Sequence, residues 1–321
     1  MSSNARLTFL FVAQVQNFYG AVGLRHDLIS LATMTLTPYR GNMLNSTLNV
    51  DGVAAVLERS RWSVCEGTRA GMAGTVSIAN AVRLVFESYS VLQQWTLLPA
   101  DAGSHTVDAM FDGPFFRRCD SPGQSSCGWG TNFPIDRLSF TSRLTTLGAW
   151  PAVMLTTDSK TGVASAAAIW FESGTSNLTI TTTANNTFRV HGDFADSVVL
   201  RQAFSVGDNE SAALALLATI IDDNLFATAF TAACEQWEQR WQAAFKRPAS
   251  DGGSGTHFSG NLPTLNSNAP EIDRLYYWSA LAMVSLERTN LLSGPRQFVI
   301  SEGPSNSLDG SAGMGGSGQV R

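Results

Sequence analysis

The chain has 321 residues, 44% of them hydrophobic and 15% charged, an ordinary globular make-up sufficient for one large domain or two smaller ones. A net charge of -5 supplies no basic field for phosphates or an anionic membrane, so no nucleic-acid partner is expected. No run of roughly eighteen apolar residues occurs, so no membrane span is expected either.

At the start, Arg6 precedes the apolar residues 7–13, which have the make-up of a short signal-peptide core. Gln14, Gln16 and Asn17 follow at once, and this favours a β-strand. The compartment stays open between the secretory route and others. Sequons at Asn45, Asn177, Asn185 and Asn209 are about as many as chance supplies in a chain this rich in Ser and Thr, and they decide nothing.

From about residue 30 to 206, β-patterned segments alternate with turn residues and no helical pattern intervenes. Strands are expected within residues 31–38, 53–64, 75–88, 138–144 and 188–194. A hairpin is expected over residues 151–172, around the polar turn Asp158-Ser-Lys-Thr-Gly162. In residues 197–206, Val198, Leu200, Phe204 and Val206 share one face with Arg201 and Ser205 opposite, the pattern of a strand with one buried side. So many strands in one run predict a mainly β protein built on a large antiparallel sandwich, over residues 1–209.

Within that region Cys119-Asp-Ser-Pro-Gly-Gln-Ser-Ser-Cys127 is a polar loop whose two cysteines are spaced either to close a small disulfide or to remain free thiols. Closing it would contribute about 2.6 kcal/mol in an oxidising compartment. Trp129, just beyond, is a candidate sugar contact, with a tryptophan tucked into the sandwich as the plainer alternative.

At residue 211 the pattern turns helical. Phe226, Phe230, Cys234, Trp237, Trp241 and Phe245 then recur at spacings of three and four, an apolar seam suited to packing a helical linker against a neighbouring domain. Residues 246–260, with Pro248 and Asp251-Gly-Gly-Ser-Gly, read as connecting loop. Asn268-Ala-Pro-Glu271 resembles a capping box, opening a helix over residues 272–290. This organisation divides the chain into a sandwich, a helical linker with its loop over residues 210–268, and the start of a helical domain over residues 269–321.

Cofactor and metal chemistry find no support. Gly313-Met-Gly-Gly-Ser-Gly318 matches a dinucleotide fingerprint in letters but has no helix or acidic residue following it. His26, His105, His191 and His257 are widely scattered, no Cys-x-x-Cys pair occurs, and no Gly-x-Ser-x-Gly turn is present. No cofactor is expected. Carboxylates remain: Asp222, Asp223, Glu235, Glu238, Asp273, Glu287, Glu302 and Asp309. Glu235 and Glu238, beside Arg240, read as a solvated helix face, and Asp309-Gly310 as a turn.

The succession Trp237-Glu-Gln-Arg-Trp241, Phe258-Ser-Gly-Asn-Leu-Pro263, Arg274-Leu-Tyr-Tyr-Trp-Ser-Ala-Leu281, Glu287-Arg-Thr-Asn290 and Gly294-Pro-Arg296 resembles the linker and first barrel helix of the six-hairpin glycosidases. Among them it is most similar to glycoside hydrolase family 63 and its unclassified relatives. Upstream, Phe111-Asp-Gly-Pro-Phe-Phe-Arg-Arg118 also fits. The resemblance implies an N-terminal super-sandwich, linker helices and an α/α barrel of six helical hairpins. It also implies a parent activity on glycosidic bonds, of the inverting type. Only about fifty residues follow Asn268, so the barrel is expected to be truncated and the chain to be a non-catalytic fragment, with no catalytic residue transferable onto it. Asp309 and Trp129 stand as the sugar-contact candidates. The rival expectation is a stand-alone carbohydrate-binding or structural sandwich. Finally, the helix beginning at Ile272 is apolar nearly all round, so self-association through it is expected.

Overall fold

The computed structural model describes residues 14–17, 19–36, 38–118, 139–148, 150–172, 179–183, 186–245, 262–285, 287–288, 297–300 and 318–320. The apolar residues 7–13, the Cys119–Cys127 loop with Trp129, the 246–260 loop, Glu302 and Asp309 all lie outside the described residues.

The expected sandwich is present. Its central layer is an antiparallel sheet of eight strands: β7 (Val56–Trp62), β8 (Glu66–Ala73), β9 (Val76–Leu84), β10 (Ser90–Pro99), β13 (Phe140–Leu147), β14 (Trp150–Asp158), β15 (Ala164–Phe171) and β18 (Val198–Gly207). They lie in the order β13-β14-β15-β18-β10-β9-β8-β7. Two five-stranded sheets pack on its inner face. One runs β1 (Gln14–Asn17), β2 (Gly20–Leu24), β3 (Leu31–Leu36), β4 (Tyr39–Gly41), β12 (Phe116–Arg118). The other runs β16 (Thr179–Thr183), β17 (Thr187–Phe194), β11 (His105–Asp112), β5 (Ser46–Val50), β6 (Val53–Ala54). One core joins all three, with Trp95 against Phe111 at 4.9 Å between ring centres and Phe116 against Phe204 at 6.2 Å. A small sheet of β19 (Glu287–Arg288), β20 (Gln297–Ile300) and β21 (Gly318–Val320) stands apart in sequence.

Polar anchors fix the layers where strands alone would slide. Arg69 on β8 is 1% exposed, and its guanidinium donates to Asn80 Oδ1 and to the backbone carbonyls of Arg25, Asp27 and Ser30. It stitches the β2–β3 loop onto the central sheet. Burial pulls its pKa down to about 10, with nearby Asp27 pulling the other way. Asp158, at the end of β14, is fully buried with Arg117 at 3.0 Å; burial opposes its charge, yet Arg117, Thr161 and the Lys160 N–H hold its pKa below the ordinary value.

Strand β18 corrects the sequence reading. Val198, Leu200, Phe204 and Val206 do face the core, but the opposite face is covered too. Helices α1 (Glu210–Ala218) and α2 (Asp223–Phe245) lie over it, where Ala203, Leu92, Ala166 and Trp170 join Leu217 and Phe226 in a second core. Arg201 accordingly sits buried between Glu172 and Asp223. Side-chain alternation alone cannot reveal a helix that returns to cover a strand's polar face.

Helix α3 (Pro270–Ser285) also departs from expectation at both ends. The cap is built from Ser267, whose Oγ accepts the Ala269 N–H, and from Asp273, which accepts the Ser267 N–H, rather than from Asn268 and Glu271. Pro270 stands first, where a missing N–H costs nothing. The helix stops at Ser285, because Glu287 and Arg288 pair with β20 instead of continuing it.

Candidate functional site

Where α2 leaves the sandwich it meets α3 and the turn between β7 and β8, and the three enclose a groove of about 330 Å³. The turn is fixed locally: the Ser63 N–H donates to the Glu66 carbonyl at 2.8 Å and Ser63 Oγ accepts the Glu66 N–H at 3.1 Å. Cys65 in that turn is disulfide-bonded to Cys234 on α2, across 169 residues of sequence. Cys234 was expected to be one more apolar position on the seam; it is instead the covalent link between helix and sandwich.

The rest of the seam divides its work along α2. Phe226 and Phe230 stack at 5.5 Å over the central sheet, with the Arg83 guanidinium 4.1 Å from the Phe230 ring centre. Trp237 packs edge-on against Phe86 at 6.0 Å and joins Val64, Ala244 and Val284 in a small core. Trp241 and Phe245 turn toward Tyr277 of α3, at 6.2 and 5.7 Å. The Tyr277 hydroxyl donates to the Leu265 carbonyl and accepts the Leu265 N–H, which fixes the ring. Trp278, beyond it, stacks with Trp62 of β7 at 6.3 Å. Aromatic rings therefore dominate the groove, while Glu238 is the single carboxylate among the described residues that line it.

That single carboxylate limits the chemistry. Glycoside hydrolysis uses two facing carboxyl groups, about 5–5.5 Å apart for retention and about 6.5–9.5 Å apart for inversion. Glu238 is exposed and accepts from Gln242 on its own helix. Three other carboxylates from the sequence reading are engaged elsewhere. Asp222 accepts the Asn224 and Leu225 N–H groups, Asp223 takes Trp170 Nε1–H and Arg201, and Asp273 caps α3. Glu235 is exposed as expected, but Arg240 beside it is buried.

A second polar constellation, unread in the sequence, lies at the far edge of the sandwich. Both ring nitrogens of His105 meet carboxylates, Nδ1 to Asp51 at 2.8 Å and Nε2 to Asp101 at 3.0 Å. The bond to Asp51 raises the imidazole pKa, the bond to Asp101 adds to this, and burial works against both. Asp51 is lowered first by the Thr106 N–H and then by His105, and Asp101 by the Gly103 N–H, Thr75 and His105. Asp51 and Gly52, at φ 52° and 74°, form the tight β5–β6 turn, so the His105 ring pins a hairpin to β11. Among the described residues no group of His, Cys, Asp and Glu is arranged to hold a metal, and no single helix is long and apolar enough to cross a membrane.

No family model and no curated protein matches the sequence. Among solved structures the chain is similar to a bacterial glucoamylase complexed with acarbose, at 11% identity and a TM-score of 0.50, over 86% of this chain and 40% of that one. Two family GH92 enzymes from Bacteroides thetaiotaomicron are more distant. They are an inverting mannosidase (TM-score 0.41, 8% identity, 72% of this chain and 33% of that one) and an alpha-mannosidase (0.28, 9%, 72% and 36%). This chain thus spans 40% of the glucoamylase's length, and over the matched part it has a glycosidase-like fold: a large antiparallel sandwich followed by helices.

Proposed function

We propose that this chain forms the sandwich and helical-linker part of a glycoside hydrolase-like protein of carbohydrate metabolism, and that it does not itself break glycosidic bonds. The observation that carries the reading is the aromatic groove with one carboxylate, Glu238, among its described lining residues, on a fold shared with a glucoamylase. An aromatic wall suits packing or the apolar faces of sugar rings, while an acid–base pair is what hydrolysis requires. The motif succession from Trp237 to Arg296 supports the family 63-like branch of the six-hairpin glycosidases, with residues 1–209 as super-sandwich, 210–268 as linker and 269–321 opening the barrel region.

In this reading α3 is the first barrel helix. Its inner side, Ala280 and Val284, is buried, while Ile272 (56% exposed), Leu275 (68%), Trp278 (54%) and Met283 (40%) face outward. Such an apolar outer face suits a neighbouring helical hairpin, and in the chain by itself it is open to a second copy.

Purified chain is to be assayed on aryl glucosides and α-linked oligosaccharides beside a Glu238→Gln variant. The expected result is no turnover by either protein. Turnover that Glu238→Gln abolishes would overturn the non-catalytic reading.

A further inference from the structure

The central sheet has a second concavity, of about 370 Å³, on the part of its outer face that α1 and α2 leave uncovered. Strand register builds it as two parallel rows. One runs Arg59, Ala70, Ala79, Thr96 across β7 to β10; the other runs Arg61, Thr68, Ala81, Gln94. Each row therefore begins with a cation on the edge strand, crosses small side chains and ends on a hydrogen-bonding group. At about 4.8 Å between strands the rows extend about 14 Å, and they lie about 7 Å apart.

Two backbone features place the arginines. A bulge between Leu57 and Arg59 shifts the register of β7, so that Arg59 and Arg61 stand opposite Ala70 and Thr68. Gly71 makes this approach feasible, since a Cβ there would meet the Val56 carbonyl oxygen at 1.8 Å. Both arginines are exposed, and neither pairs with a carboxylate among the described residues. Glu66, on the same face, is taken by Arg83 at 2.9 Å. Arg69, buried beneath this corner, adds positive charge that Asp27, 3.6 Å away, partly offsets.

We propose that this trough binds an acidic saccharide. Arg59 and Arg61 pair with its carboxylates, Thr68, Thr96 and Gln94 exchange hydrogen bonds with its hydroxyls, and the alanine floor admits the rings. Local charge selects the ligand: two free guanidiniums on a chain of net charge -5 favour an anion at this spot, and the neutral polar far wall favours a polyol. A cavity of this size falls within the range of small-molecule sites, about 300–1,000 Å³.

The proposal rests on the carbohydrate reading above, and one titration series separates the two. Wild type, an Arg59→Gln/Arg61→Gln double variant and Ala79→Phe are titrated with an oligogalacturonate, a maltooligosaccharide of equal length and sodium sulfate. The expected result is oligogalacturonate binding that weakens with salt, falls at least about tenfold in the double variant and is lost in Ala79→Phe. Sulfate at matched concentration should not displace it. Absent oligogalacturonate binding, equal binding by the double variant, or full displacement by sulfate would each overturn the proposal. If oligogalacturonate fails in any of these ways while maltooligosaccharide still binds, untouched by the arginine changes, the carbohydrate reading stands and only this site is removed.

Discussion

Cys65 and Cys234 join the β7–β8 turn to the middle of α2, so the linker helix is covalently part of the sandwich. Closing a loop of 169 residues is worth about 5 kcal/mol in the chain-entropy model, and measured losses on removing native disulfides run about 2–5 kcal/mol. Reduction, or a Cys65→Ala/Cys234→Ala double variant, is expected to lower Tm by several degrees. Non-reducing peptide mapping should recover the Cys65–Cys234 pair from protein made in an oxidising compartment; free thiols at both positions there would contradict it.

The His105 clamp sets a pH window. The raised imidazole contributes stability below its unfolded pKa of about 6.5, and this is lost as pH rises through the higher folded value. Asp51 and Asp101, lowered, contribute above about 3.9, and theirs is lost as pH falls through the folded values. The difference in Tm between wild type and His105→Gln should therefore be largest between about pH 4 and 6.5 and shrink on either side. A difference that grows steadily above pH 8 would be inconsistent with an imidazolium.

Arg69→Met should be among the costliest substitutions in the sandwich. It strands Asn80 Oδ1 and the Arg25 and Asp27 carbonyls, each worth about 1–3 kcal/mol when left unpaired in a buried setting, while the Ser30 carbonyl keeps the Arg25 N–H. A loss of at least about 3 kcal/mol in urea unfolding is expected. Arg69→Lys should recover only part of it, because an ammonium cannot reproduce the paired contact of Nε and Nη2 with Asn80.

Helix α3 should exchange amide hydrogens faster than β10 or β18, since one side of it lacks cover. Sedimentation should show concentration-dependent association that a Leu275→Glu/Trp278→Glu variant abolishes. A wild-type monomer at all concentrations, with α3 protected like β18, would show that the exposed face does not drive self-association.

Much of the sandwich was legible because its strands alternate: β18, the β14–β15 hairpin and β17 lie close to where their apolar periodicity puts them. What escaped was non-local. Arg201 and Ser205 read as the open face of β18, and nothing within the strand announces α1 and α2 lying over that side. Cys65 pairs with a residue far along the chain, a choice that spacing does not encode, whereas the conspicuous Cys119 and Cys127 lie outside the described residues. His105 gathers Asp51 and Asp101 only because β11 pairs beside the β5–β6 turn. The trough was hidden for a related reason: Thr68, Ala70, Ala79 and Ala81 alternate as any strand does, and their side is a cavity because none of the described helices lies over it.

Helix α2 extends about 34 Å, held at its start by Phe226 on the sheet, near its middle by Cys234, and at its end by Tyr277 of α3. These attachments differ in strength, and under tension the difference sets the order of failure. Pulled at its C-terminal end, the chain should first peel α3 from Trp241 and Phe245, where ring contacts, the small core around Val284 and a few hydrogen bonds resist. The force then reaches Cys234 and stops, because the sulfur bond carries it directly into the β7–β8 turn and bypasses the first half of α2. Phe226 and the sheet beneath it would stay unloaded until β7 itself tears from β8. The disulfide thus acts as a mechanical fuse box, confining rupture to the helical end and leaving the sandwich assembled; under reducing conditions the same pull would unzip α2 through to Asp223.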